Sequence, residues 1–166
     1  MPTENLLYTT VSSSIGELLL AGDSTGLRHI YFESGDFTPP PNWQAVTDLP
    51  YPVAGQLDSY FAGHLHGFDL PLHPQGTAFQ RKVWSALAEI PYGETISYLE
   101  LARRIGNPNS VRAVGLANGK NPLPIVVPCH RVVGSNGALV GYGGGLPIKR
   151  ALLALEGVLA PQLDLF

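Results

Sequence analysis

The apolar pattern of this chain changes period near residue 76, and that change limits the folds open to it. Residues 6–11, 17–21 and 27–32 are apolar or alternating runs, separated by Ser14-Ile15-Gly16 and by Asp23-Ser24-Thr25-Gly26. Short alternating runs joined by such turns read as a small antiparallel β meander. From Thr77 onward the spacing becomes helical, with Phe79, Val83, Leu87 and Ile90 recurring along one face. A β region followed by a helical region argues for an α+β protein in two parts, 1–75 and 76–166.

Residues 34–50 are rich in Pro, Gly and Asp and read as a surface loop. A short helix is expected over residues 52–62, with Leu57, Tyr60 and Phe61 on one face, and residues 63–76 read as the inter-domain connection. Thr77-Ala78-Phe79-Gln80 has the form of a capping box, as does Ser97-Tyr98-Leu99-Glu100. Pro91-Tyr92-Gly93 ends the first of these helices. Tyr98, Leu101, Ala102 and Ile105 mark the second, and Gly106-Asn107-Pro108-Asn109 turns the chain into a third over residues 110–119. Two short helices around a Gly-containing turn suggest a helix-turn-helix. A last helix is expected over residues 147–155, with Ile148, Ala151, Leu152 and Leu155 on its buried face. Glu156 follows it, where a carboxylate opposes the helix dipole. Its presence there suggests a partner, with His130 the natural candidate.

The charge is divided in the same way. Residues 1–75 hold one Lys/Arg and eight Asp/Glu, whereas residues 76–158 hold nine Lys/Arg and four Asp/Glu, and Asp164 adds to the tail. A basic half suggests a polyanionic partner, although a solvated chance asymmetry fits equally well. The single cysteine excludes an intramolecular disulfide and a cysteine-rich zinc site, and it fits a reducing compartment. The N-terminus lacks the basic start and long apolar core of a signal peptide, and no apolar run is long enough to span a bilayer. A cytoplasmic location away from membranes is expected. His64, His66 and His73 read as part of a solvated connection, not as a metal site.

That cysteine lies in Pro128-Cys129-His130-Arg131-Val132, after the apolar run Ile125-Val126-Val127. A thiol with an imidazole neighbour is a candidate nucleophile, because the thiolate is the reactive form. A small buried hydrophobe is the plainer reading of the same residue.

The stretch from Phe79 to Gly157 resembles the C-terminal domain of the O6-alkylguanine-DNA alkyltransferases, also called methylated-DNA–protein-cysteine methyltransferases. The resemblance is carried by Phe79-Gln80 with Val83-Trp84, Ile90-Pro91-Tyr92-Gly93-Glu94-Thr95, Ser97-Tyr98, Arg112-Ala113-Val114-Gly115 and Asn121-Pro122. It continues through Pro128-Cys129-His130-Arg131-Val132, Gly143-Gly144-Gly145-Leu146 and Leu155-Glu156-Gly157. It implies a small N-terminal ribonuclease-H-like α/β domain followed by a C-terminal helix-turn-helix, winged-helix-like active domain.

The resemblance also implies a chemistry. The partner is double-stranded DNA containing O6-alkylguanine, with O4-alkylthymine a second candidate lesion. The alkylated base must leave the stack before a side chain can reach it. Arg112 would enter the stack in its place, Tyr98 would help push the nucleotide out, and Asn107 and Ser135 join them as DNA-binding candidates. Ala113, Gly115 and Ala117 would allow close approach to DNA. Cys129 would attack the alkyl carbon once and irreversibly, with His130 as general base, Glu156 holding the imidazole and a water between His130 and the thiol. Asn121 would bond backbone near the active loop, and Val132, Tyr142, Gly143 and Gly144 would line the alkyl pocket. Gly143 stands where some relatives carry serine. No cofactor and no metal are expected, and a monomer is. A helix-turn-helix module with a merely structural cysteine is the alternative reading. A cysteine hydrolase is a third, and it would need an oxyanion hole and repeated turnover.

Overall fold

A computed structural model describes residues 5–33 and 37–159. Residues 1–4, residues 34–36 of the Pro-rich segment and residues 160–166, with the acidic Asp164, lie outside the described part. The chain separates into two compact units, Met1–Gln75 and Gly76–Phe166.

In the first unit, strands β1 (Leu7–Val11), β2 (Leu18–Asp23) and β3 (Gly26–Phe32) form the antiparallel meander. A short strand β4 (Gln44–Ala45) adds parallel to β1, giving the order β3-β2-β1-β4. This strand falls within the expected surface loop over residues 34–50, because two exposed residues carry no alternation. The β2–β3 turn is held by Asp23, whose carboxylate accepts the Thr25 N–H at 2.9 Å and pairs with Arg28 at 2.8 Å. The register slips between Ala21 and Gly22. A Cβ on Gly22 would come within 2.5 Å of the Gly26 carbonyl oxygen, so the bulge requires glycine there. Helix α1 (Val53–Phe61) buries Val53, Leu57 and Tyr60 at i, i+4 and i+7, while Phe61 is half-buried.

The connection after α1 is not the free linker expected. The Leu27 N–H donates to the Pro71 carbonyl, and His73 N–H donates back to Leu27, both at 2.8 Å. Gln56 clamps the backbone of Asp69 with two hydrogen bonds. Polar composition concealed this, because the bonds are made by backbone.

In the second unit, helix α2 (Ala78–Leu87) begins with the full capping box, Thr77 and Gln80 bonding each other's backbone N–H. It buries Val83, Trp84 and Leu87, and the Trp84 indole N–H reaches the Ala117 carbonyl at 2.9 Å. Strand β5 (Ile96–Ser97) leads into α3 (Tyr98–Arg104), and α4 (Val111–Gly119) completes the helix-turn-helix. Ser97 caps α3 by accepting the Glu100 N–H at 3.0 Å. The other half of that expected box is not what Glu100 does, since its carboxylate pairs forward with Arg104 at 3.0 Å. An i,i+4 cation offers a carboxylate a better partner than a neutral N–H.

Strand β6 (Val132–Val133) pairs parallel with β5, so the Cys129–Arg131 turn just before it is fixed beside the start of α3. Helix α5 (Leu146–Leu155) buries Lys149, Leu152 and Leu153, with Glu156 buried at its end. Ala151, expected on the buried face, is exposed. The helix is rotated about its axis so that a lysine and a glutamate face inward, against their usual preference for solvent.

Candidate active site

Five chemically active side chains meet inside the second unit. Cys129, His130 and Arg131 come from one 3-10 turn, Lys149 from α5 and Glu156 from its C-terminal end, and all five are buried. His130 Nε2 lies 2.8 Å from Glu156 Oε2, and both side chains are 0% exposed. The other ring nitrogen, Nδ1, is buried and makes no hydrogen bond to protein among the described residues. Arg131 Nε donates to Glu156 Oε1 at 2.8 Å and Nη2 donates to Oε2 at 2.9 Å. Lys149 Nζ donates to the Val132 carbonyl at 2.7 Å, to Val140 at 3.1 Å and to Gly141 at 3.3 Å. Three carbonyl acceptors match the three protons of an ammonium group, which is how such a group survives burial.

The electrostatics follow from that burial. Loss of water pushes the Cys129 thiol above its ordinary range, against opposing help from the Asn121 amide, the Lys149 charge and the Tyr142 hydroxyl. Burial also pulls His130 below its ordinary value, and Arg131 and Lys149 add to that, while Glu156 resists it. Lys149 is lowered by burial too, with Cys129 acting the other way. The resting site is therefore a neutral thiol beside a neutral imidazole, not a preformed ion pair.

The loop before Cys129 is clamped by one side chain. Asn121 Oδ1 accepts the Leu123 N–H at 2.9 Å, and its Nδ2 donates to the Val127 carbonyl at 2.8 Å. Val127 N–H in turn donates to Leu123 O at 2.9 Å, closing a tight turn around Ile125. Ile125 has φ 76°, a left-handed value that a β-branched residue adopts only under constraint. Asn118 adds a long contact, 3.5 Å, to the Cys129 carbonyl.

The remaining expected residues divide into two sets. Val132 is fully buried and its carbonyl accepts from Lys149, and the buried Tyr142 hydroxyl favours the ionised form of the Cys129 thiol. Tyr98 is half-buried, donates its hydroxyl to the Val140 carbonyl at 3.1 Å and lies 6.0 Å below the Lys149 ammonium. Gly143 and Gly144 follow Tyr142 in the loop before α5, and a Cβ on Gly143 would meet open space. Arg112 is exposed on α4 and forms no ion pair among the described residues. Asn107 is exposed in the helix-turn-helix turn, where its carbonyl accepts the Ser110 N–H and hydroxyl. Ser135 is exposed in the turn closed by Gly134 N–H and the Ala138 carbonyl.

Two expectations for α4 need correction. Ala117 does not lie beside Arg112 on the open face, because it is buried against Trp84, and Gly115 is half-buried toward Tyr98. The exposed face instead carries Arg112, Ala113, Leu116 and Lys120, with Leu116 66% exposed. Sequence reasoning also missed Arg131, Lys149 and the strain at Ile125. The only signal for Lys149 was a lysine flanked at i+3 and i+4 by leucines, which an exposed lysine shares. Among the described residues no cluster of His, Cys, Asp or Glu could hold a metal ion.

Comparison with known proteins gives one consistent result. Residues 78–158 match the family model described as 6-O-methylguanine DNA methyltransferase, DNA binding domain, and residues 6–74 match its ribonuclease-like domain. A methylated-DNA–protein-cysteine methyltransferase of Methanosarcina acetivorans is 51% identical over 92% of this chain and 99% of its own. One of the same name from Mycolicibacterium paratuberculosis is 53% identical, covering 96% and 98%. The crystal structure of Mycobacterium tuberculosis OGT in complex with DNA superposes with a TM-score of 0.85 at 50% identity, covering 90% of this chain and 92% of that one. Both halves match in order and nearly end to end, so the chain belongs to the 6-O-methylguanine DNA methyltransferase family.

Proposed function

We propose that this protein repairs DNA by direct reversal, moving a methyl or larger alkyl group from O6 of guanine onto its own Cys129, once per molecule. The observation that carries this reading is the buried Cys129, His130 and Glu156 arrangement, in which a neutral base stands next to a neutral thiol. Substrate binding supplies what the resting site lacks. The thiol proton passes through a water to His130 Nδ1, and Glu156 stabilises the imidazolium that forms. The Sγ–C bond forms as the O6–C bond breaks, and the departing guanine regains a proton. A thioether with no second cysteine in the chain has no route back. Protonated at rest, the thiol is protected from oxidation until a lesion arrives.

Access to the base requires extrusion from the duplex. Arg112, exposed on α4 and unpaired among the described residues, is suited to fill the gap. Tyr98 presses on the flipped nucleotide, and Asn107 and Ser135 contact the backbone. Val132, Tyr142, Gly143 and Gly144 bound the alkyl pocket. Asn121 holds the loop that presents Cys129. We assign residues 1–75 to the ribonuclease-like domain and 76–166 to DNA binding and alkyl acceptance. The protein acts as a monomer in the cytoplasm, without metal or cofactor. O4-alkylthymine is a second substrate under this reading. Hydrolase chemistry is disfavoured, because the Cys129 N–H, the usual oxyanion donor, is already given to the Val127 carbonyl at 2.8 Å.

Mass spectrometry after incubation with a duplex bearing one O6-methylguanine tests this reading. One methyl per protein on the peptide containing Cys129 is the expected result. Lesion binding without transfer would reduce the protein to a recognition module.

A further inference from the structure

The steps above give no part to Arg131, although its guanidinium is buried at the centre of the site. Arg131 grips both oxygens of Glu156, gives Nη1 to the Ile90 carbonyl at 2.6 Å, and lies 5.7 Å from the centre of the Tyr92 ring. Glu156 Oε2 is therefore shared between Arg131 Nη2 at 2.9 Å and His130 Nε2 at 2.8 Å. A two-pronged guanidinium favours the ionised carboxylate, and an ionised carboxylate can only accept hydrogen bonds. The hydrogen between Glu156 and His130 must then belong to Nε2, which leaves Nδ1 as the basic nitrogen. A cation already bound to the carboxylate also disfavours a second proton on the imidazole.

We propose that Arg131 is a positioning residue of the alkyl-transfer site, fixing His130 in the Nε2–H tautomer through Glu156 and keeping the pair from taking an extra proton in mild acid. The proposal rests on His130 acting as the base. Around His130 the charged or titratable groups are Glu156 and Lys149 from α5 and its end, and Cys129 and Arg131 from its own turn. Tyr92, after α2, feels the same Glu156 and Arg131 charges. Arg131 contributes to the lowering of His130 but is not among the groups acting on Cys129, where the cation is Lys149. A change at Arg131 thus acts directly on the His130–Glu156 pair, because Arg131 holds both Glu156 oxygens.

The test is the rate of Cys129 alkylation by free O6-benzylguanine across a pH series, using the full chain and the variants Arg131→Gln, Arg131→Lys and His130→Ala. Without the guanidinium, the buried pair holds its proton to higher pH. Arg131→Gln should therefore lose activity on the acid side at a pH about one unit or more above wild type. Arg131→Lys, which keeps the charge, should follow the wild-type profile. A constant ratio of Arg131→Gln to wild-type rate at every pH would mean a purely structural role and overturn the proposal. An unchanged rate in His130→Ala would overturn both this and the assignment of His130 as base. Should Arg131→Gln not fold, the ring nitrogen signals of His130 in the wild-type protein decide the matter. A neutral Nε2–H ring from neutral pH down to about pH 6 supports the proposal, and an Nδ1–H ring or an imidazolium there overturns it.

Discussion

The buried cluster around Cys129 and the open face of α4 belong to one compact unit but solve opposite problems. In the cluster every charge is paired inside the protein, with Glu156 on His130 and Arg131 and Lys149 on three carbonyls. On α4, Arg112 is left without a protein partner among the described residues, and Leu116 stands exposed close by. The first arrangement suits chemistry, because a preorganised site in low dielectric needs little rearrangement when charge develops. The second suits binding, since a cation and an apolar side chain left to solvent retain their contact energy for a partner. Minor-groove proteins combine just these two residue types. The same unit therefore keeps its paired charges in and leaves Arg112 and Leu116 to solvent.

The contrast predicts how stability responds to substitution. Glu156→Ala should be the most damaging, because it strands two buried cationic or polar partners. An unfolding free energy lower by about 3–5 kcal/mol is expected in denaturant titration. A loss near zero would mean that the buried network is not formed in solution. Lys149→Met keeps the aliphatic stem but takes the ammonium donor from three carbonyls, of which Val140 keeps the Tyr98 hydroxyl, and a loss of about 1.5–3 kcal/mol is expected by the same measurement.

The pH dependence of stability comes next. His130 is lowered, so its contribution is intact above about pH 6.5 and fades as pH falls toward its folded value. Cys129 is raised, so its contribution is intact below about pH 9 and fades as pH climbs toward its folded value. Thermal unfolding should therefore show a plateau between those limits, and Cys129→Ala should extend the plateau on the alkaline side alone. Arg112→Ala should have the smallest effect on stability, within about 0.5 kcal/mol. Its repair of duplex DNA should nevertheless fall far more than its reaction with free O6-benzylguanine. Equal losses on the two substrates would remove Arg112 from base extrusion and blur the division between the two faces.

Much of the second unit was readable along the chain. The Thr77 capping box, the helix-turn-helix and the stop before Pro91 depend on side chains within four residues of one another. Such local preferences survive whatever the rest of the protein does. The second box at Ser97 was half right for the converse reason, since Glu100 had two acceptable partners and only the folded helix chose Arg104. The short pairing of β5 with β6 left no trace in sequence, being two residues on each side joined across a long separation.

The amino-acid sequence by itself determined the two-part α+β architecture, the family, and the presence of Cys129, His130, Asn121, Glu156 and Arg112 in a recognisable order. Tertiary structure alone decided that Arg131 and Lys149 belong to the same site, that α5 turns Lys149 inward while Arg150 stays exposed, and that burial lifts the thiol above its ordinary range. The reason is physical. Residue type and spacing set local conformation, but the protonation of a buried group depends on how much water it loses and on which charges surround it. Those charges are Arg131, Lys149 and Glu156, and only the folded chain brings them together with the Ile90 and Val132 carbonyls that hold two of them.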